Sequence, residues 1–258
     1  MQSSVVLSEE KSRARSQSSA PARSSVKRII VRLVLWVFPD EQFISLLKFE
    51  LALLLTSVYS KLSPVEWIKR LRLRGNYDLK VNLGNGPFTH SGWLNLDCRM
   101  SLRQEDLSCD LRRSWPLRDG SAKYVFAEHV LEHFAYPDEI NHILKECHRV
   151  LRKGGVLRAI VPNTERYLRS YTEKDEDFVR QVTGANGSNL SLVNVMMREN
   201  GFHKYAYDYE ELERTLKRAG FETVMLSTLR HSVHEDLNID LNEPIRELVS
   251  LYIEAVKT

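Results

Sequence analysis

Five short apolar runs follow one another between residues 79 and 163, and each ends on polar or glycine residues. Their length and their content of β-branched and aromatic residues predict strands. Because loops or helices separate the runs, their order predicts an α/β fold with a mostly parallel sheet, which binds ligands at the carboxyl ends of its strands. The predicted strands lie at 79–83 and 93–96, with a third closed by Asp110–Leu111, a fourth at 124–127 and a fifth ending at Pro162–Asn163.

Helical spacing of apolar side chains predicts helices at 137–151 and 209–219. The second helix is expected to stop at Gly220, because glycine favours helix ends. A turn at Gly154–Gly155 is predicted to join the first helix to the fifth strand. Two further strands are expected at 222–226 and 248–255.

Two connections in the first half of this sheet are too short to contain a helix. Six residues separate Gly86 from Trp93, and eight separate Asp97 from Asp106, whereas a parallel crossover usually takes about a dozen or more. The strands are nevertheless apolar, so another part of the chain must cover them. We expect helices within residues 27–74 to pack on the core.

The N-terminal region is expected to be an extension of the fold. Residues 1–26 are rich in Ser and Arg and predict a disordered basic tail. The apolar stretch that follows could suggest a membrane-spanning helix, but the charged residues Lys48 and Glu50 interrupt it. Packing of residues 27–74 on the core is favoured, with contact to an anionic membrane surface through residues 27–60 as the alternative.

Composition and charge exclude some classes of function. The apolar fraction of 43% and charged fraction of 28% are typical of a globular protein. The net charge is +3, but residues 1–37 hold seven Lys or Arg and two Glu, so the remainder is slightly acidic. This balance does not favour nucleic-acid binding. Three cysteines without CxxC spacing predict a reducing, cytoplasmic location.

Glycines and acids at the strand ends predict a nucleotide-type cofactor. Gly84 and Gly86 follow the first strand, where glycine lets a ligand approach the backbone closely. Asp97 ends the second strand, where an acid can accept hydrogen bonds from two ribose hydroxyls. With Asp110 at the third strand end, the set suits an adenosine group.

The chain contains a series of short motifs: NLGNG at 82–86, GWLNLD at 92–97, WPLRDGS at 115–121, EHVLEH at 128–133, LRKGGVL at 151–157, HKY at 203–205 and AGF at 219–221. Together they resemble the motifs of the class I S-adenosylmethionine-dependent methyltransferases, and more narrowly those of the type 11 group. The resemblance covers about residues 79–257 and implies a Rossmann-like class I sheet with shortened first crossovers and an N-terminal helical extension. Asn85 departs from the group's small Cys or Ser, and Asn82 stands where many relatives have an acid.

The resemblance implies S-adenosylmethionine as the cofactor and residues that would hold it. Gly84 and Gly86 would approach its methionine part, and Asp97 would hold the ribose. Asp110 and Leu111 would flank the adenine. The full set of candidate cofactor contacts is Asn82, Gly84, Gly86, Asp97, Asp110, Leu111 and Glu128.

The EHVLEH motif supplies the candidate catalytic residue. His129 is a candidate general base, because histidine accepts a proton near neutral pH, although a structural role is equally open. Candidate substrate contacts are His133, Asn163 and His203, with a structural role favoured for His133. His129, Glu132 and His133 also match HxxEH, which on one helical face binds zinc. No third ligand stands out downstream, so no metal is expected.

The sequence therefore predicts a methyltransferase that acts on a small-molecule or glycan-type acceptor, at oxygen. The segment 164–202 has no place in the sheet and is long for a loop; by the resemblance it would form an acceptor pocket or lid. A catalytically silent cofactor-binding protein of the same fold is one alternative. An NAD-dependent oxidoreductase is another, but it would need a third glycine and a helix N-terminus for the pyrophosphate.

Overall fold

The structure is a computed structural model that describes residues 41–258 except Pro87. The predicted tail at 1–26 and the first part of the N-terminal helical region lie outside these residues. The chain divides into two compact units, residues 1–50 and residues 51–258. The described part of the first unit is the beginning of helix α1, Glu41–Leu62.

Within residues 51–258, Pro87 apart, one mixed sheet contains seven strands. Their bounds are β1 Leu79–Leu83, β2 Leu94–Asp97, β3 Asp106–Ser108, β4 Ala122–Glu128, β5 Leu151–Pro162, β6 Thr223–Ser227 and β7 Ser250–Val256. The spatial order is β3-β2-β1-β4-β5-β7-β6. The first five strands are parallel, and β7 runs antiparallel to both of its neighbours.

Two details of the predicted sheet are wrong. Asp110–Leu111 lies beyond β3, which already ends at Ser108. Gly154–Gly155 lies inside β5 rather than in a turn before it. The pairing of β4 with β5 shifts register between Ala122 and Tyr124, so the glycine pair lies in an irregular part of the strand. A bulge accommodates the extra residues within the strand, so no separate turn is needed. The pattern of apolar residues does not distinguish a bulge from a turn.

Helices pack against the sheet. The larger core joins the sheet to helix α3, Asp138–Val150, and helix α7, Tyr209–Arg218, with Ile143, Leu144, Leu212 and Leu216 fully buried. This spacing confirms the helical pattern predicted for both segments. The described helices after α1 are α2 Pro64–Leu73, α3 Asp138–Val150, α4 Thr164–Glu173, α5 Glu176–Thr183, α6 Asn189–Arg198, α7 Tyr209–Arg218 and α8 Pro244–Val249.

Helix α2 is fixed to the sheet edge by buried charges. The connections β1–β2 and β2–β3 contain no helix in the described residues. Lys69 Nζ donates to Glu66 Oε1 at 2.9 Å and to the Asp106 carbonyl at 2.8 Å. Glu66 Oε2 accepts from the Ser108 amide at 3.1 Å. Helix α2 thus contacts β3, while the wider expectation that residues 27–74 pack on the core stays a prediction.

Helix α1 exposes most of its apolar side chains. The stretch Phe43–Leu62 is long and apolar enough to cross a membrane, and 17% of its most apolar window is buried. In its second half Leu53 and Thr56 are buried, and the Thr56 hydroxyl donates to the Cys98 carbonyl at 2.5 Å. The exposed apolar side chains of that half are Leu51, Leu54, Leu55, Val58 and Leu62.

The segment 164–202 is helical rather than a loop. Helices α4, α5 and α6 share a small core built from Tyr167, Phe178, Leu192 and Met196. Each helix begins with a side-chain cap, which satisfies an amide at the helix start. The segment is therefore a separate helical layer after β5.

Candidate active site

A cavity of about 200 Å³ opens at the carboxyl ends of β1 and β4. This is the edge where a parallel α/β sheet binds its ligand. Five predicted site residues line it together: Asn82, Gly84, Gly86, Glu128 and His129. The other lining residues are Leu83, Asn85, Phe88, His90, Phe126, Leu241 and Arg246.

The glycine turn after β1 forms one wall of the cavity. Gly84 and Gly86 have φ angles of 54° and 52°, in the left-handed region that favours glycine. A Cβ added to Gly84 would lie 3.0 Å from Val130, whereas a Cβ added to Gly86 meets no protein atom within 4 Å. Gly86 therefore faces open space at the cavity, and a ligand can approach its backbone.

Asn85 presents an unused acceptor between these glycines. Its Nδ2 donates to the carbonyls of Gly86 at 3.2 Å and Phe88 at 2.9 Å. Its Oδ1 is buried without a hydrogen-bond partner. Such an acceptor costs about 1–3 kcal/mol until a donor reaches it. The residue that departs from the family pattern is thus suited to accept a hydrogen bond from a ligand.

Asn82 belongs to a chain of buried polar side chains across three strands. Its Nδ2 donates to Asn95 Oδ1 at 3.1 Å, and Asn95 Nδ2 donates to Asp106 Oδ1 at 3.0 Å. A carboxylate can only accept, so Asn95 must donate to it and accept from Asn82. An acid at position 82 would face an acceptor, which gives a physical reason for Asn there.

Glu128 ends β4 and is half-buried at the cavity. Its carboxylate oxygens lie 3.3 and 3.4 Å from the Leu241 amide. Burial raises the pKa of the Glu128 carboxyl, against the opposing effects of this amide and of the Arg246 charge. The residue combines a polar contact with partial desolvation, as is common at functional sites.

His129 is held by hydrogen bonds to both ring nitrogens. Its Nδ1 lies 3.1 Å from Glu132 Oε1, and its Nε2 lies 3.0 Å from Ser250 Oγ. Because a carboxylate only accepts, Nδ1 carries the proton, and the unprotonated Nε2 accepts from the Ser250 hydroxyl. The backbone φ of 50° is uncommon for a residue other than glycine and marks local strain. The arrangement matches that of an oriented general base.

Three predicted cofactor contacts lie outside the cavity lining. Asp97 accepts hydrogen bonds from the amides of Gly86 and Arg99, each at 3.0 Å. Asp110 pairs with Arg112 Nε at 3.0 Å, and Leu111 belongs to the larger core. Of these three, Asp97 is joined directly to the glycine turn.

The predicted substrate contacts also lie outside the cavity lining. Asn163 caps α4, with its Oδ1 accepting from the Arg166 amide at 3.2 Å. His133 and His203 lie together, with ring centroids 5.1 Å apart. The helical interpretation of HxxEH is wrong: His129 directly follows β4, which ends at Glu128, and residues Leu131–His133 form a 3₁₀ turn. The left-handed φ at His129 breaks the helix that the spacing suggested.

Three cavity residues come from segments that the sequence did not single out. Arg246 on α8 has its Nε 3.7 Å from Glu243 Oε2. His90 packs edge-on against Phe126, and burial lowers its pKa. Leu241 lies in the connection between β6 and α8. The only sequence signal for Arg246 is a cation just before β7, which is too common to be specific.

The comparison with known families agrees with this architecture. Residues 95–159, which span β2 to most of β5, match the family model described as a methyltransferase domain. Together with the mixed seven-stranded sheet and its flanking helices, this match defines a Rossmann-like class I methyltransferase fold. The match supports the predicted class I S-adenosylmethionine-dependent methyltransferase family, and the sheet agrees with the predicted Rossmann-like fold. No curated protein matches the chain.

Solved structures with low identity also resemble the chain. A methyltransferase from Thermotoga maritima is 18% identical over 78% of this chain and 94% of its own, with a TM-score of 0.44. One from Archaeoglobus fulgidus is 16% identical over 78% and 98%, with a TM-score of 0.43. The Burkholderia thailandensis 1,6-didemethyltoxoflavin-N1-methyltransferase is 15% identical over 93% of each chain, with a TM-score of 0.42.

Proposed function

We propose that this methyltransferase transfers a methyl group to a hydroxyl of a small-molecule or glycan-type acceptor bound at the β1–β4 cavity. The observation that carries the proposal is the position of His129. His129 lines the cavity, and Glu132 and Ser250 hold its ring as a histidine base is held. A hydroxyl must lose a proton when it is methylated, so a base of this kind favours oxygen as the methylated atom.

The residues around the cavity fit S-adenosylmethionine. Gly86 leaves open space for close approach, and the unpartnered Asn85 Oδ1 suits the cofactor's ammonium group. Arg246 offers a cation for the cofactor's carboxylate. Asp97, beside the glycine turn, would accept the ribose hydroxyls by rearranging its contacts with backbone amides.

The chain's own residues perform positioning and proton transfer. S-adenosylmethionine supplies an electrophilic methyl group on a sulfonium. His129 Nε2 would exchange its Ser250 contact for the acceptor hydroxyl and take its proton as that oxygen bonds to the methyl carbon, while the carbon–sulfur bond breaks and S-adenosylhomocysteine leaves as a neutral thioether. Glu132 keeps Nδ1 protonated and stabilises the charge that develops on the ring. Holding acceptor and cofactor in line supplies much of the acceleration.

The test is a labelled-methyl transfer assay with a panel of hydroxyl and amine acceptors. We expect label to appear in an ether product of a hydroxyl acceptor. Label found only in methylated amines would contradict oxygen as the acceptor atom. Cofactor binding without transfer to any acceptor in the panel would favour the catalytically silent alternative.

An NAD-dependent enzyme is disfavoured, because the described residues between β1 and β2 contain no helix to hold a pyrophosphate.

Gly86→Ala tests the cofactor wall. The new methyl group would point into the open space at the cavity, so we expect affinity for S-adenosylhomocysteine to fall about tenfold or more, equivalent to roughly 1.4 kcal/mol. Isothermal titration calorimetry measures the change. Gly154→Ala is the matched control: it has a φ of 73°, meets no atom within 4 Å and lies at the opposite end of the sheet. Equal affinities in the two variants would contradict the assigned wall.

We also propose that the protein lies on a membrane surface in a cytoplasmic, reducing compartment. Helix α1 exposes Leu54 and Leu55, and Lys48 and Lys61 lie on the same helix. The described cysteines are free. We expect co-sedimentation with anionic vesicles, and its loss in Leu54→Glu/Leu55→Glu but not in Val233→Glu, which alters a still more exposed apolar residue elsewhere. Equal sedimentation of all three proteins would refute the contact.

A further inference from the structure

Glu132, His133 and His203 converge outside the cavity lining and form a group that we call the histidine cluster. Each offers a ligand atom, and these atoms lie within 4.8 Å of one another. We propose that the histidine cluster binds a divalent transition-metal ion, with Zn²⁺ the best match. The set differs from the HxxEH interpretation, because His203 replaces His129 as the third ligand.

Both histidines present the same nitrogen to the cluster. His133 Nδ1 lies 3.2 Å from the Phe202 carbonyl, and His203 Nδ1 lies 2.5 Å from the Met196 carbonyl. A carbonyl can only accept, so each Nδ1 carries a proton and each neutral ring leaves Nε2 with a free lone pair. Metal-binding histidines are usually oriented in this way, by donating the other ring N–H to a carbonyl or carboxylate.

Glu132 supplies a buried carboxylate whose second oxygen is unused. The residue is 1% exposed, and its Oε1 contacts His129 while its Oε2 has no hydrogen-bond partner. A buried anionic oxygen without a donor is unfavourable. The backbone carbonyl of Glu132 accepts from the amides of Lys204 and Tyr205 at 2.8 and 3.2 Å, which ties this residue to the segment that carries His203.

A second carboxylate faces the same two histidines. Glu199 Oε2 lies 2.9 Å from His203 Nε2 and 4.0 Å from His133 Nε2. Two acceptors this close require either a proton or a cation between them. Two imidazole nitrogens with carboxylate oxygens suit zinc, whereas calcium and magnesium prefer oxygen ligands. Glu199 is exposed and would be a fourth ligand.

The metal would orient the base without taking part in the reaction. It would bind one side of the Glu132 carboxylate, whose other oxygen holds His129 Nδ1. This consequence rests on the proposed function, but metal binding itself does not. Metal content is therefore measured separately from methyl transfer.

The test is metal binding by the full chain after chelator treatment and dialysis. We expect Zn²⁺ to bind one per chain, to raise the melting temperature and to be retained through gel filtration, as measured by elemental analysis. His203→Ala should weaken binding by at least about 100-fold, because loss of a supporting residue alone typically costs 10–100-fold. His231→Ala, on an exposed loop, and Cys98→Ser are controls that should keep full binding.

Two outcomes would overturn the proposal. The first is no bound Zn²⁺ and no shift of melting temperature in the unaltered protein. This result would mean that a proton on His203 Nε2, rather than a metal ion, bridges it to Glu199 Oε2. The second is full retention of Zn²⁺ by folded His203→Ala or His133→Ala, which would place the ion elsewhere. Circular dichroism establishes that each variant is folded. Methyl transfer that persists without Zn²⁺ would refute the link to His129 and leave the binding result intact.

Discussion

Replacing Arg158 with Met is expected to lower the free energy of unfolding by about 3–5 kcal/mol, because it leaves two buried carboxylates without their cationic partner. Arg158 is fully buried in β5. Its guanidinium donates to Asp240 at 2.8 and 2.5 Å and to Glu254 at 2.8 Å. It also donates to the Ser227 hydroxyl and the Thr228 carbonyl, so all five of its N–H groups are used.

Urea denaturation followed by circular dichroism measures this loss. The matched control is Arg169→Met, which removes an ion pair with Glu165 whose partners are both exposed, and we expect a change below about 1 kcal/mol. A similar small change in Arg158→Met would contradict the account of the buried network.

The network also holds Asp240 next to Leu241, whose amide contacts Glu128 at the cavity. Affinity for S-adenosylhomocysteine should therefore fall in Arg158→Met.

Replacing His129 with Ala is expected to lower kcat by roughly 10²–10⁴-fold, the contribution of a positioned general base. The variant removes the ring whose Nε2 would take the acceptor proton. It leaves Gly86 and Asn85 unchanged, so the dissociation constant for S-adenosylhomocysteine should stay within about twofold, well under the tenfold that corresponds to 1.4 kcal/mol. A split between turnover and binding separates a base from a residue that only shapes the cavity.

The labelled-methyl assay and calorimetry together provide this comparison. His231→Ala is the control, because it removes an exposed histidine outside the cavity lining. Unchanged turnover in His129→Ala would show that His129 is not the base. Equal losses of turnover and of cofactor affinity would assign it a structural role, the alternative left open by the sequence.

The sequence could predict that Gly84, Gly86 and Glu128 lie together at one edge of the sheet, because the signals are local. These residues lie at the carboxyl ends of strands whose parallel order is encoded in the apolar pattern, and parallel strands bring their carboxyl ends to one edge. Their role in cofactor binding stays a prediction. Arg246 and Leu241 could not be found in this way. They reach the cavity because β7 inserts antiparallel between β5 and β6, and no local pattern encodes that insertion.

The geometry around His129 also lay beyond local prediction. The spacing of His129, Glu132 and His133 fits a helical face, yet the left-handed φ at His129 sends the chain into a short 3₁₀ turn. No glycine or asparagine at position 129 indicates that conformation in the sequence. In the folded chain the His129 ring is held by Glu132, three residues away, and by Ser250, which is distant in sequence. The third member of the histidine cluster, His203, is distant in sequence and close only in the folded chain.

The most direct test of the central claim is calorimetric titration of the unaltered protein with S-adenosylhomocysteine. The account predicts saturable binding of one ligand per chain, with a dissociation constant below about 1 mM, and competition by S-adenosylmethionine. Absence of binding up to millimolar ligand would contradict the cavity's assignment as a cofactor site, and with it the proposed methyl transfer.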